Sequence, residues 1–178
     1  MLHEHVAFHL ARGGRLRFVD PRRFGLVLAL PTEKLAKDPH FAALGVEPLG
    51  EGPYGPLLDG DYLRHNAAAR RGPVKTYLMD ACVVVGVGNI YASEALFQAG
   101  VDPRRSVARI SAARWELLAQ AVRAVLARAI EQGGTTLNDF VDGEGNPAEF
   151  QVALAAYVRE GEACPACGSP VKRIVQSW

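Results

Sequence analysis

The sequence of 178 residues lacks the features that define a membrane protein or a disulfide-rich secreted protein. It contains no apolar run of the roughly 18 residues that a membrane span requires, and no signal-peptide pattern opens it. It has only 3 cysteines, and two of them form a Cys-x-x-Cys motif, which favours a metal over a disulfide framework. These absences predict a cytoplasmic protein that does not enter a membrane.

The sequence also has little net charge, because its formal charge is +1, and this value gives no general argument for nucleic-acid binding. The charges are unevenly distributed, however, since residues 10–25 hold five arginines and one acid. Apolar residues make up 49% and charged residues 22%, which is typical of a folded globular chain. We expect one ordinary domain or two small ones.

The chain begins with the pattern of an antiparallel β meander. Apolar and polar residues alternate over 6–10 and again over 16–18, with a turn at 11–14 between them, and residues 24–30 predict a third, more apolar strand. Such a sheet needs a second layer to cover its apolar face, and nothing downstream predicts one. We therefore interpret residues 1–45 as the remnant of a larger β-sandwich.

The rest of the chain is predicted to be mainly helical. Residues 46–60 are rich in proline and glycine and predict a linker. A helical domain is expected over 61–150, and a hairpin over 151–178. The predicted helices cover 61–71, 75–85, 90–99 and 112–132, the last ending at Gly133-Gly134. The longest has one apolar stripe, formed by Trp115, Leu118, Ala121, Val122, Val125 and Leu126.

Residues 83–97, VVVGVGNIYASEALF, place two glycines and an asparagine between an apolar run and an amphipathic segment. Gly86 and Gly88 allow a tight turn, and Asn89 suits the N-cap of the next helix. The free N–H groups of such a helix start favour an anion, most often a phosphate. Tyr91 occupies the third glycine position of a dinucleotide fingerprint, which makes that type of site a poor match.

Two interpretations of this glycine turn remain open from the residues alone. The simpler one is a helix–helix turn without a ligand. Lys75 on the preceding segment, with Arg70 and Arg71 nearby in sequence, favours a clamp for a DNA backbone phosphate.

The stretch DPRRFG at residues 20–25 is a second candidate for DNA contact. It is consistent with an ordinary surface turn carrying solvated arginines. Phe24 beside Arg22 at a hairpin tip also matches the combination of a cation and an apolar wedge that enters a duplex.

The cysteines predict half of a zinc site. Cys164 and Cys167 have the spacing of a zinc knuckle, but zinc takes four ligands, and the eleven residues after Cys167 include no cysteine or histidine. Cys82 lies in an apolar run and is interpreted as packed core.

Four separated motifs together resemble one family. DPRRFG, VKTYLMDACVVVGVGNIYASEALF, EQGGTTLNDF and YVREGEACPACGSPV occur in the order found in bacterial formamidopyrimidine-DNA glycosylases, and the resemblance runs from about residue 5 to residue 172. It implies an α+β fold: an N-terminal β-sandwich, here partial, a helical domain with a helix–two-turn–helix motif, and a C-terminal zinc finger, here incomplete. It implies excision of oxidised purines such as 8-oxoguanine and formamidopyrimidines, followed by strand cleavage at the abasic site.

The resemblance also implies roles for particular residues. Arg22 and Phe24 would fill the gap left by the flipped base, while Lys75 and Asn89, on the turn with Gly86 and Gly88, would hold phosphates around the lesion. The loop over the extruded base would consist of Asn138, Asp139, Phe140, Val141, Asp142, Gly143, Glu144 and Gly145.

The chain departs from the family pattern at both ends, as a truncated member would. The family's nucleophile is an N-terminal proline followed by a catalytic glutamate, whereas this chain opens Met1-Leu2-His3-Glu4, and Glu4 precedes the wrong strand. The family's β-hairpin lysine, its gap-filling methionine, its second zinc pair and a phosphate-binding arginine are also missing. Val158 stands where the family usually has glycine. We expect no catalytic residue in this polypeptide and no stably bound zinc.

Several expectations follow from the resemblance. The chain is expected to be a monomer in the bacterial cytoplasm, associated with the nucleoid, with damaged double-stranded DNA as its partner. It is interpreted as a fragment of a bifunctional glycosylase and lyase. The alternatives are a standalone DNA-binding module without catalysis and, less favoured, a nucleotide-binding protein. An exposed apolar sheet face predicts poor solubility.

Overall fold

The computed structural model describes residues 3–50, 58–132 and 154–176, and the chain divides into two compact units, Met1–Ala42 and Ala43–Trp178. The first unit carries an antiparallel hairpin, and the second is helical. The α+β fold class expected from the sequence is therefore confirmed.

The predicted N-terminal hairpin is confirmed. Strand β1 (Glu4–His9) pairs with strand β2 (Arg15–Val19) in antiparallel register, and the pairing is irregular between Glu4 and Val6. The turn between the strands closes through the Leu10 N–H group, which donates to the Gly14 carbonyl at 3.2 Å.

The predicted third strand over residues 24–30 is wrong: the described residues of the first unit form only a two-stranded sheet. The turn after β2 explains the difference, because the Asp20 carboxylate accepts the backbone N–H groups of Arg22 at 3.1 Å and Gly25 at 2.6 Å. These bonds close a compact loop instead of returning the chain alongside β2. The apolar side chains that follow are left exposed, among them Leu26 and Leu28.

The first unit contains no buried residue within its described part, residues 3–42. A short 3-10 helix (Thr32–Lys37) and helix α1 (Pro39–Ala42) follow the loop. An open apolar hollow of about 470 Å³ lies within this unit, lined by Leu26, Val27, Leu28, Leu30, Leu35, His40 and Phe41.

The described part of the second unit contains the core, four α-helices and a short 3-10 helix (Val107–Arg109). The α-helices are α2 (Gly60–Ala67), α3 (Val74–Leu78), α4 (Asn89–Gln98) and α5 (Ala112–Glu131). Helix α2 begins at the N-cap Asp59, whose carboxylate accepts the Tyr62 N–H at 2.7 Å, and α5 begins at the N-cap Ser111. Both caps satisfy helix-start donors that have no intrahelical partner.

The predicted apolar stripe of α5 is confirmed, since all six of its residues are buried. It packs on α2 and α4. The approach of α2 is so close that a Cβ on Gly60 would lie 2.5 Å from the Cα of Glu116. Trp115 also meets the edge of Tyr77, whose hydroxyl donates to the buried Leu63 carbonyl at 2.7 Å.

Several predicted elements differ from the structure, and the helix expected over 61–71 already ends at Ala67. The helix expected over 75–85 ends at Leu78, because the Asp80 carboxylate accepts the Cys82 N–H at 2.9 Å and stabilises a turn. Cys82 is exposed, so its interpretation as packed core is wrong. Val46, within the predicted linker, is buried, and its carbonyl accepts the Val85 N–H at 3.1 Å. The expected helix stop at 133–134 lies outside the described residues.

No helix in the described part of the chain combines the length and the apolar character that crossing a membrane requires.

Candidate nucleic-acid interface

The turn between α3 and α4 brings the predicted clamp residues onto two helices that contact each other. Gly86, Gly88 and Asn89 lie at this turn, and both Gly88 and Asn89 are exposed. An added Cβ at Gly86 or Gly88 would meet no atom of the described residues within 4 Å, and Gly86 has a φ of 78°, which favours glycine. The corner is therefore open on its outer side.

The prediction that Asn89 is the N-cap of α4 is wrong by one residue. Gly88 is the N-cap, with φ −89° and ψ −174°, and Asn89 is the first helical residue. The Ala92 N–H donates to the Gly88 carbonyl at 2.9 Å and closes the first turn. The N–H groups at the start of the helix have no carbonyl one turn before them, which leaves the positive end of the helix dipole at the exposed corner.

Lys75 lies on α3 and is partly buried. Among the described residues, its ammonium group has no hydrogen-bond or ion-pair partner. Burial lowers the pKa of Lys75 below its ordinary value, because the charged form loses hydration. An anion at this ammonium would offset that cost.

The arginines near Lys75 in sequence have different surroundings. Arg70 forms an ion pair with Asp80, and its guanidinium carbon lies 5.5 Å from the ring centre of Tyr77. The charge of Arg70 is therefore already paired with a carboxylate of the protein. The hydrogen bond from Arg70 lowers the pKa of Asp80. Arg71 lines an open pocket of about 260 Å³.

The DPRRFG turn in the first unit brings its two candidate residues together. The guanidinium of Arg22 lies 5.0 Å from the ring centre of Phe24, a cation–π contact, and Phe24 is 80% exposed. The Asp20 carboxylate holds this turn, and its pKa is lowered chiefly because it accepts the backbone N–H of Gly25. A large apolar ring thus projects from a turn held by several hydrogen bonds.

Glu94 was missed by the sequence analysis. It lies on α4 and is only 5% exposed. Its Oε2 accepts the Ala155 N–H at 2.8 Å, and its Oε1 accepts the N–H groups of Ala156 at 2.9 Å and Tyr157 at 2.8 Å. The one available signal was a carboxylate inside the segment IYASEALF, whose other residues carry no charge.

The residue that Glu94 holds also contacts the corner. The Nδ2 group of Asn89 donates to the hydroxyl of Tyr157 at 3.1 Å. The C-terminal segment that begins at residue 154 is thus joined to α4 at two points, by backbone bonds to Glu94 and by a side-chain bond to Asn89.

The two motif cysteines lie in a hairpin turn with the geometry of a knuckle. The Cys164 N–H donates to the Ser169 carbonyl, and the Gly168 N–H donates to the Cys164 carbonyl, both at 2.8 Å. The backbone N–H of Ser169 is the largest of the contributions that lower the pKa of Cys167. Within the described ranges, no three potential metal ligands come together. Cys164 and Cys167 could provide only two of the four ligands that zinc takes, and these residues alone do not fit the ion.

Glu4 is paired within the hairpin, since its carboxylate lies 3.5 Å from Arg15 and 4.0 Å from Arg17. The predicted lesion loop, residues 138–145, lies outside the described residues.

Comparison with known proteins identifies the helical unit. The family profile described as the formamidopyrimidine-DNA glycosylase H2TH domain matches residues 44–141. The chain is 52% identical to the formamidopyrimidine-DNA glycosylase of Stutzerimonas stutzeri (strain A1501), over 97% of its own length and 61% of the relative. It is 49% identical to that of Pseudomonas fluorescens (strain SBW25), over 97% of its own length and 62% of the relative.

Comparison of the fold with solved structures identifies the same family. The fold is similar to the crystal structure of the MutM (Fpg) protein of Thermus thermophilus, with a TM-score of 0.86, 37% identity, and coverage of 99% of this chain and 65% of that one. It is also similar to Lactococcus lactis Fpg in complex with DNA containing an abasic site, with a TM-score of 0.83, 27% identity, and coverage of 98% of this chain and 62% of that one.

The matched profile identifies the helical unit as an H2TH domain. The chain belongs to the formamidopyrimidine-DNA glycosylase family, which confirms the resemblance drawn from its four motifs. It spans about three fifths of the length of the curated relatives it matches, 61% in the case of the Stutzerimonas protein.

Proposed function

We propose that this chain is a base-excision repair protein that binds damaged double-stranded DNA, and that the α3–α4 corner grips the DNA backbone. The observation that carries the proposal is the partly buried ammonium of Lys75 on α3, which has no anionic partner in the described part of the chain. The helix that α3 contacts, α4, has its exposed start at Asn89. A backbone phosphate would supply a negative charge to Lys75 and would lie at the positive end of the α4 dipole.

The DPRRFG turn supports a second contact in the same function. Phe24 is exposed and presented by the Asp20 loop, and Arg22 carries a positive charge against its ring. This pairing suits insertion into a duplex from which a base has been extruded. The loop at 138–145 would cover that base, as the family resemblance implies.

The family activity proposed for the intact protein is removal of oxidised purines and cleavage at the resulting abasic site. We expect this polypeptide by itself to perform neither step, because none of the residues that the resemblance assigns to DNA contact supplies the secondary amine that would form the Schiff base. Borohydride treatment of the polypeptide with abasic-site DNA should trap no covalent complex. A trapped complex would contradict this expectation.

The clamp is tested by removing its two side-chain contacts separately. Lys75→Gln should weaken binding to a duplex containing an abasic-site analogue by roughly tenfold at low salt, and should reduce the slope of log K against log salt by about 1, because one phosphate contact is lost. Asn89→Ala should weaken binding without changing that slope, because it removes no charge. Fluorescence anisotropy over a salt series measures both effects.

The matched control is Lys34→Gln, which removes the same charge from an exposed residue of the first unit. The effect of Lys34→Gln on affinity should be small. Each clamp variant should lose the same factor in affinity on two unrelated DNA sequences, since a contact to the DNA backbone carries no base information. Unchanged affinity in both clamp variants, or tight binding of a mononucleotide with none of duplex DNA, would contradict the proposed function.

A further inference from the structure

Glu94 has surroundings that packing alone does not explain. It is a carboxylate 5% exposed in the middle of α4, and no lysine or arginine among the described residues lies within ion-pair distance of it. A buried charge is costly unless it is hydrogen-bonded. Here three successive backbone N–H groups, from residues 155, 156 and 157, converge on its two oxygens at 2.8–2.9 Å.

Three converging N–H groups of this kind form an anion-binding nest, and in this protein the anion is a side chain of the protein itself. The backbone around the nest is held from outside as well, because the guanidinium of Arg159 donates to the carbonyls of Leu154 at 3.5 Å and Ala155 at 3.3 Å. Val158, directly after the nest, has a φ of 60°. The conformation of this segment is therefore tied to the carboxylate of Glu94.

The nest fixes the position of a residue that contacts the proposed clamp. Tyr157 is the last of the three residues bonded to Glu94, and its hydroxyl accepts from Asn89 Nδ2 at 3.1 Å. Asn89 is exposed, and without this partner its amide group could rotate freely and would lose entropy on binding DNA. One helix thus carries both Asn89 and, 5 residues later, the carboxylate that orients the partner of Asn89.

We propose that Glu94 is a positioning residue for DNA binding: its carboxylate fixes the backbone at 155–157 so that Tyr157 holds the Asn89 amide in the orientation that binds a phosphate. The inference rests on the proposed clamp. Glu94 itself touches no DNA in this arrangement.

The direction in which one substitution changes DNA affinity distinguishes this positioning role from a simple effect of net charge. Glu94→Gln removes a negative charge, and a more positive protein should bind DNA more tightly if charge alone decided the result. Loss of the nest should instead weaken binding about tenfold, because an amide NH₂ group replaces one of the two acceptors. The matched control is Glu160→Gln, which makes the same charge change at an exposed residue of the same segment and should leave affinity equal or slightly higher.

A double-mutant cycle tests whether Glu94 acts through Tyr157. Tyr157→Phe retains its backbone N–H to Glu94 but loses the hydroxyl that accepts from Asn89. If the proposed chain of contacts operates, the affinity of Glu94→Gln/Tyr157→Phe for the abasic-analogue duplex should be no lower than that of the weaker single variant. Independent, multiplying losses would mean that Glu94 has only a general structural role and would overturn the proposal.

Thermal melts of all variants establish that they are folded at the assay temperature. If Glu94→Gln melts below it, Glu94→Asp, which retains the carboxylate on a shorter side chain, takes its place and should lose several-fold in affinity. Wild-type affinity in the folded Glu94 variant overturns the positioning role while leaving the clamp intact. Unchanged binding of the Lys75 and Asn89 variants would instead contradict the proposed clamp.

Discussion

Val158 occupies a backbone conformation that suits glycine far better than valine. Its φ is 60°, in the left-handed region, and its side chain is 72% exposed, so the strain is not offset by packing. The residues on either side hold it there, since the Tyr157 N–H donates to Glu94 and Arg159 donates to two carbonyls of the same segment. A β-branched residue in this region costs about 1–2 kcal/mol.

Val158→Gly should therefore stabilise the protein. Relief of the strain exceeds the extra chain entropy that glycine brings to the unfolded state, and we expect a gain of about 1 kcal/mol in the free energy of unfolding. Urea denaturation followed by circular dichroism measures the change.

Val175→Gly is the control for this substitution, because Val175 is also exposed and its φ is not positive. That variant should be neutral or slightly destabilised. An equal effect of the two substitutions would show that the conformation of Val158 carries no strain.

At the scale of the elements, periodicity in the sequence was sufficient to predict a helix whose one face packs on the core and two strands that pair in a regular hairpin. The α5 stripe from Trp115 to Leu126 and the β1–β2 hairpin were both predictable for this reason. The end of α3 was not, because the turn at Asp80 depends on a carboxylate that reaches both Cys82 and Arg70. Local helix propensity does not indicate that such side-chain contacts will end the helix at Leu78.

The candidate site was predictable only in part for a related reason. Lys75, Gly86 and Asn89 lie in short local patterns, and the motif resemblance singled them out. The role of Glu94 depends on N–H groups 61 to 63 positions later in the chain. Without the structure, a buried glutamate on an apolar helix face has no identifiable partner.

At the scale of the whole molecule, the two units differ in how much they bury. The second unit has a continuous core that includes Leu63, Leu78, Leu96 and Leu118, whereas none of the described residues of the first unit is buried. Large apolar side chains are instead exposed along the first unit, among them Phe8, Leu16, Phe24, Leu26, Leu28 and Phe41. Exposed apolar surface on this scale promotes association.

We expect the purified chain to bind hydrophobic dyes and to aggregate, and we expect Leu26→Glu together with Leu28→Glu to reduce both effects. Neither side chain contributes to the core, so the free energy of unfolding of the second unit should change by less than about 0.5 kcal/mol. Dye fluorescence, light scattering and urea denaturation measure the three quantities.

Leu118→Glu provides the contrast, because Leu118 is fully buried in α5. A carboxylate at that position should cost more than about 4 kcal/mol. A soluble wild-type chain that binds no dye and melts in one sharp transition would contradict the expected exposure of the first unit.

Among the described residues, the carboxylate of Glu94 accepts hydrogen bonds from three peptide N–H groups and from no side chain. During sequence divergence, positions 155 and 156 can consequently exchange their alanines for almost any amino acid except proline, which has no N–H to donate. The glutamate has no such freedom, because no other side chain of its length offers two anionic oxygens. A single glutamate can therefore preserve the backbone position of a segment whose own side chains change.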